Sequence, residues 1–109
     1  MLLGGLPSDV KARQMWRLWV ACWARAPYES RLAAVHAERH EHERVAIESI
    51  VEAGKASGEF RDDLDSRAVA WELLGLLDGL GLQAYVSEES MPLGTVRELL
   101  TARVGSLRA

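Results

Sequence analysis

Residues 68–85 read AVAWELLGLLDGLGLQAY, and this stretch decides the fold. It predicts a helix with apolar side chains on almost every side, and such a helix has to be covered over most of its surface. Membrane lipid is not the expected cover, because Glu72 and Asp78 flank the Gly75–Gly79 pair. Three further helices in a small domain cannot easily surround one member, so we expect a second copy of the chain to complete the burial.

Glycines inside this helix support the same expectation. Gly75, Gly79 and Gly81 each cost about 1 kcal/mol against alanine in a helix interior, which suggests a packing reason for them. Gly75 and Gly79 lie four residues apart and would let another helix approach closely. The predicted homodimer interface therefore takes residues from this helix and from the helix that follows it: Trp71, Leu76, Gly79, Leu80, Val96, Leu100 and Val104.

Proline, glycine and capping residues divide the whole chain into four predicted helices. Ser8 and Asp65 are good N-caps, Gly58 is a natural residue just past a helix end, and Pro92 suits a first turn. No stretch alternates with period two over a useful length. The expected fold is one all-α domain over residues 1–109, with helices over residues 8–26, 28–57, 66–87 and 92–107.

Composition limits the class of protein. The chain has 109 residues, 49% of them hydrophobic, which predicts a packed core, and its net charge of -3 argues against this chain alone gripping nucleic acid. Cys22 is the only cysteine, so a reducing, cytoplasmic location is expected. The apolar start over residues 1–7 is too short for a membrane span and has no basic flank for a signal peptide.

Three tryptophans on the first predicted helix form one stripe. Trp16, Trp19 and Trp23 are spaced i, i+3 and i+7, so their side chains lie one above another. Such a stripe is typical of a core face. It is equally suited to one wall of a cavity for a small apolar or amphipathic ligand, and the two interpretations overlap.

Polar residues interrupt the inward stripe of the second helix. On a helical wheel, the apolar direction of this helix is defined by Leu32, Ile47 and Ile50. Between them fall His36, Arg39 and Glu43, with His40 at the edge. The polar groups are either a local Arg39–Glu43 ion pair with peripheral histidines, or the groups that orient a ligand in a pocket. A metal site using His36, His40 and Glu43 is a weaker alternative, because the residue after His36 is alanine instead of the glutamate of zinc peptidases.

Catalytic signatures are lacking. The sequence contains no glycine-rich phosphate loop, nucleophile elbow or cysteine–histidine zinc pattern, so we predict neither an enzyme nor a cofactor. Asp78 is expected to be a hydrogen-bonded structural carboxylate, and Cys22 a small buried hydrophobe.

Three segments resemble the C-terminal half of TetR-type (tetracycline-repressor) regulators of the betaine-inhibitor kind. They are WVACWARA over residues 19–26, GKASGEFRDDLD over residues 54–65 and AWELLGLLDGL over residues 70–80. The resemblance implies a cytoplasmic homodimer that pairs through its last two helices and binds an inducer among the earlier ones. It also implies that DNA is read by an N-terminal helix-turn-helix domain, which we do not expect within residues 1–109.

The predicted function is therefore the ligand-sensing and dimerisation domain of a TetR-type transcriptional repressor. The ligand site is predicted from Trp16, Trp19, Trp23, His36, Arg39, His40 and Glu43. The alternative is a helical homodimer that acts as an interaction module without a small ligand. Membrane binding is not expected, and DNA would be contacted through the helix-turn-helix domain alone.

Overall fold

The computed structural model describes residues 5–109 and contains four α-helices. These are α1 (Val10–Arg25), α2 (Ser30–Ser57), α3 (Ser66–Val86) and α4 (Leu93–Gly105), with a short 3₁₀ turn, Ala26–Tyr28, between α1 and α2. In this part of the chain, β-type pairing is limited to one antiparallel bridge between Phe60 and Arg108. The expected all-α four-helix fold is confirmed. Residues 1–4, which belong to the apolar start considered above, lie outside the described part.

Capping residues set three of the helix ends. Asp65 accepts a hydrogen bond from the Ala68 N–H at 3.1 Å and caps α3 as expected. Gly58 ends α2 with φ of 79°, a left-handed conformation that favours glycine. The cap of α1 is Asp9 and not Ser8, because the Asp9 carboxylate accepts the Ala12 N–H at 2.7 Å.

Besides the start of α1, two predicted boundaries are wrong by two residues, each for a local reason. α2 begins at Ser30 and not at residue 28, because the extended backbone of Glu29 separates it from the preceding 3₁₀ turn. α4 ends at Gly105 and not at residue 107. Beyond it the Leu107 N–H bonds back to the Val104 carbonyl at 3.1 Å, and the Leu107 carbonyl accepts the Arg61 N–H at 3.0 Å.

α3 is the central helix and packs against α1, α2 and α4. The domain is only 19 Å across in its thinnest direction, which is about two helix diameters. One side of α3 therefore stays uncovered within the protomer, as its all-round apolar sequence suggested. Trp71 on that side is half exposed, and β-carbons built at Gly75 and Gly79 would meet nothing within 4 Å.

Two apolar clusters hold the helices together. The first joins α2, α3 and the C-terminal segment, and its buried members include Ile47, Val51, Leu73 and Leu107. The second joins the N-terminal segment to α3 and α4: Leu6, Leu77, Ala84, Val96 and Leu100. Leu6, outside every predicted helix, is completely buried there and anchors the chain before α1.

The connector between α2 and α3 is fixed by a close approach at Gly54. Its backbone lies so near the Phe60 ring that a β-carbon would overlap the ring atoms. The Phe60 N–H donates to the Gly54 carbonyl at 3.0 Å, and the Ala109 N–H donates to the Glu59 carbonyl at 3.0 Å. The connector and the C-terminal segment thus form one unit at this end of the domain.

Among the helices of residues 5–109, none is both long and apolar enough to cross a membrane.

Candidate functional site

Trp16 is the fixed centre of the aromatic stripe. Its side chain is 1% exposed, and its indole Nε1 donates to the Gly5 carbonyl at 2.6 Å. The rings of Trp19 and Trp23 meet it edge-on, with centroids 5.4 Å and 5.9 Å away, and the Tyr85 ring stacks on it at 6.3 Å. Edge-to-face packing is a favoured arrangement of aromatic rings, so the stripe is a rigid wall.

The polar stripe of α2 contacts the ring face of Trp19. The Arg39 guanidinium lies over this ring, with Cζ 4.3 Å from the centroid. Arg39 also pairs with Glu43, Nε to Oε1, at 3.0 Å, and both side chains are about one-third exposed. The local ion pair is therefore present and lies against the aromatic wall, while the role of these residues in orienting a ligand stays a prediction.

A cavity of about 340 Å³ opens between this ion pair and the core. Its lining combines Trp16 and Trp19 of α1, Arg39 and Glu43 of α2, and Leu74, Leu77 and Asp78 of α3. His42 of α2 lines it too. The mixture of a largely apolar wall with a few polar groups is typical of small-molecule sites.

The other end of the stripe lines a separate, more open cavity. Trp23 donates from Nε1 to His36 Nδ1 at 3.2 Å, and this pair forms part of the lining of a space of about 560 Å³. Asp78 and Gly79 of α3 line the same space. His40 is not among the lining residues of either cavity; its ring packs on His36 with centroids 5.7 Å apart. Six of the seven predicted ligand residues thus lie along two adjacent cavities.

Asp78 is the residue that both cavities share, and sequence reasoning did not place it in the site. Burial raises the pKa of its carboxyl above the usual value and Glu43 adds to the rise, whereas Arg39, His40 and His36 act in the opposite direction. The sequence predicted that this carboxylate would accept a hydrogen bond. In the described part of the chain no donor reaches it, so that prediction is wrong. A half-buried carboxylate without a donor, between two cavities, is a group that a ligand can engage.

The histidines do not assemble a metal centre. Among residues 5–109, no group of three or more histidine, cysteine, aspartate or glutamate side chains is placed to hold an ion. Nδ1 of His36 accepts the indole N–H of Trp23, and Glu43 pairs with Arg39. The alternative metal site from His36, His40 and Glu43 is therefore not supported.

Residues of the predicted dimer interface divide into two sets. Trp71 and Gly79 are exposed on the uncovered side of α3, and Leu76 and Leu80 are half-buried beside the second apolar cluster. Val104 is half-buried against the first cluster. On the α4 side Leu99 is 47% exposed, although the sequence stripe did not include it.

Val96 and Leu100 belong inside the protomer. They are 0% and 1% exposed and pack in the second cluster with Leu6 and Leu77. A partner chain cannot contact them without repacking this core, so their contribution to any interface is to support it from beneath. Val96 and Leu100 thus mark the contact of α4 with α3, whereas Leu99 lies on the exposed side of α4.

The sequence analysis did not predict that an arginine of α2 would be buried. Arg44 is only 6% exposed, and its guanidinium bonds to Glu41 at 2.5 Å and to Glu48. The buried side of this half of α2 runs through Arg44, Ile47 and Val51, while Ile50, predicted to face inward, is half exposed. The helical-wheel prediction of which side of α2 is buried was therefore wrong by one residue position. It failed because an arginine occupies an inward position, where glutamates of the same helix neutralise its charge.

Comparison with known proteins agrees with this arrangement. The family model described as BetI-type transcriptional repressor, C-terminal, matches residues 1–109. Searches of curated proteins and of solved structures gave no significant match. The family is one of transcriptional regulators, in keeping with the resemblance of the connector and of α3. The chain therefore belongs to the family of BetI-type transcriptional repressor C-terminal domains.

Proposed function

We propose that this domain senses a small apolar or amphipathic effector and forms the homodimer contact of the repressor. The effector would lie in the cavity between Trp19, the Arg39–Glu43 pair and Asp78. The single observation that carries this proposal is that cavity, where a rigid aromatic wall lies beside the half-buried Asp78 carboxylate, which accepts no hydrogen bond from the described residues. The tryptophans would supply apolar contact area, and the polar groups would fix orientation.

Coupling to DNA binding would pass through α3. Leu74, Leu77 and Asp78 of this helix line the cavity, while Gly75 and Gly79, interleaved with them, are on the uncovered side. A ligand that favours one position of α3 would therefore change the geometry of a dimer formed on that side. This would alter the spacing of two attached helix-turn-helix domains and so their fit to an operator.

The alternative function, a dimeric interaction module without a ligand, is favoured by one observation only. Trp16 is packed solidly, with its N–H satisfied by Gly5. Trp19 and Trp23 remain half-buried beside open space. A binding experiment on the cavity separates the two functions.

The experiment uses 8-anilinonaphthalene-1-sulfonate, an aromatic amphiphile, with tryptophan fluorescence as the readout. We expect saturable quenching that Ala46→Phe, which fills the cavity, weakens at least tenfold. Ala53→Phe is the matched control, because Ala53 is also exposed on α2 but lies outside this cavity. Quenching that is non-saturable, or equal in both variants, would favour the module without a ligand.

A further inference from the structure

A third cavity, unrelated to the tryptophans, lies between α2 and α4. Its volume is about 410 Å³, within the range of roughly 300–1,000 Å³ of small-molecule sites. Its floor consists of buried core side chains, among them Val51, Leu73 and Leu107, and its rim includes Ile50, Thr101 and Arg108. This space is called the α2–α4 cleft below.

The cleft exists because α2 and α4 both pack on α3 and hardly contact one another. Towards the start of α4, Leu6 covers the core by packing with Leu77, Val96 and Leu100. Leu100 also lines the cleft, so the cleft begins where the N-terminal segment stops covering the core. Phe60, held against Gly54, makes its far wall.

The charge at the rim indicates what would fill the cleft. Arg108 is the one charged residue in its lining, and it is exposed. Within residues 5–109 Arg108 takes part in no ion pair, so no carboxylate of the described residues occupies its guanidinium. A guanidinium is suited to bind a carboxylate through two parallel hydrogen bonds. No acidic residue lines the cleft to compete with such a ligand.

We propose that the α2–α4 cleft is a binding site for an aliphatic carboxylate. The hydrocarbon chain would lie on the floor formed by Val51, Leu73 and Leu107, and the carboxylate would meet Arg108 at the rim. Burial of the hydrocarbon chain provides most of the affinity, and Arg108 selects the acid over neutral analogues. This site differs in chemistry from the tryptophan cavity, which contains indoles and carboxylates, and it does not rest on the function proposed above.

Calorimetric titration with decanoate and with decan-1-ol tests the proposal. We expect decanoate to bind saturably, with decan-1-ol weaker by roughly two- to fivefold, the range for an exposed ion pair. Arg108→Gln should bring decanoate to the level of the alcohol and leave the alcohol unchanged. Ile50→Trp, at the half-exposed rim, should abolish binding of both, whereas Val45→Trp, exposed on the same helix outside the cleft, should not.

Two outcomes would overturn the proposal. Loss of decanoate binding in Trp19→Leu, with Ile50→Trp unaffected, would place the ligand in the tryptophan cavity. Absence of binding to the unmodified protein, together with a change in self-association caused by Ile50→Trp, would mean that a second copy of the chain covers the cleft. Circular dichroism of each variant shows that the fold is retained, so a negative result counts against the site.

Discussion

The Trp16 ring lies against the backbone of Gly81, so that a β-carbon on residue 81 would come within 2.5 Å of two of its ring atoms. Real β-carbons do not approach other atoms so closely. The contact explains how α1 packs on α3, because the largest buried side chain of the domain fits only where α3 has no side chain. It also fixes the wall from which the tryptophan cavity is built.

Gly81→Ala is therefore predicted to destabilise the domain, although alanine is the better helix former. Overpacking of a fitted core costs about 1–3 kcal/mol, and we expect the free energy of unfolding in urea to fall by that amount. Gly94→Ala is the control, because a β-carbon at Gly94 meets nothing within 4 Å and should leave stability equal or slightly higher. A Gly81→Ala protein as stable as Gly94→Ala would show that α1 shifts freely.

The comparison of the three α3 glycines shows how far sequence reasoning extends. From the sequence, Gly75 and Gly79 were expected to let another helix approach closely, and Gly81 was given only an unspecified packing reason. Gly81 has its reason inside the protomer, in the Trp16 ring, while Gly75 and Gly79 face open space. Helix propensity marks a glycine as costly but carries no information about what fills the space beside it.

Local chemistry was enough to predict the helices, the aromatic stripe, the N-cap of α3 at Asp65 and the end of α2 at Gly58. The role of Asp78 could not be predicted, since its surroundings come from α2, more than thirty residues away along the chain. Burial of Leu6 likewise depends on α3 and α4, and no local pattern identifies it. Long-range contacts therefore set the limits of the prediction.

Asp78 is predicted to make stability depend on pH. Its pKa is raised in the folded protein, first by burial and then by Glu43, so the folded state holds the proton more tightly than the unfolded chain. Ionisation of Asp78 therefore opposes folding as the pH rises above its ordinary pKa of 3.8. We expect Asp78→Asn to gain stability relative to the unmodified protein between pH 3 and neutrality, and then to keep a constant advantage.

Urea unfolding at a series of pH values measures this difference. Asp62→Asn, at an exposed position of the connector, controls for the loss of one surface charge. A stability difference that shrinks as the pH rises would mean that Arg39 and the histidines dominate the surroundings of Asp78 and that its pKa is lowered.

Leu99→Lys is predicted to dissociate the proposed homodimer without unfolding the protomer. Leu99 is 47% exposed, so lysine is tolerated in the free chain, but a buried unpaired charge at an interface costs about 3 kcal/mol. This corresponds to a roughly hundredfold weaker dimer in sedimentation equilibrium. Leu18→Lys, at a 63% exposed position of α1 away from the α3–α4 side, should leave dimerisation unchanged. A monomeric unmodified protein at micromolar concentration would contradict the dimer itself.

Arg39 is predicted to matter more for effector binding than for folding. Its guanidinium stacks on Trp19 and pairs with Glu43 at a partly exposed site, and such contacts contribute about 0.5–1 kcal/mol each at most. Arg39→Ala should therefore lower the free energy of unfolding by only about 1 kcal/mol. In the cavity, however, it removes the cation and the cover over the indole, so binding of 8-anilinonaphthalene-1-sulfonate should weaken at least tenfold. Arg39→Lys should keep part of the affinity, because it retains the charge but not the planar stacking on Trp19. If Arg39→Ala instead lost stability and kept its affinity for the probe, Arg39 would be a structural clamp between α1 and α2, and the effector site would have to be sought elsewhere.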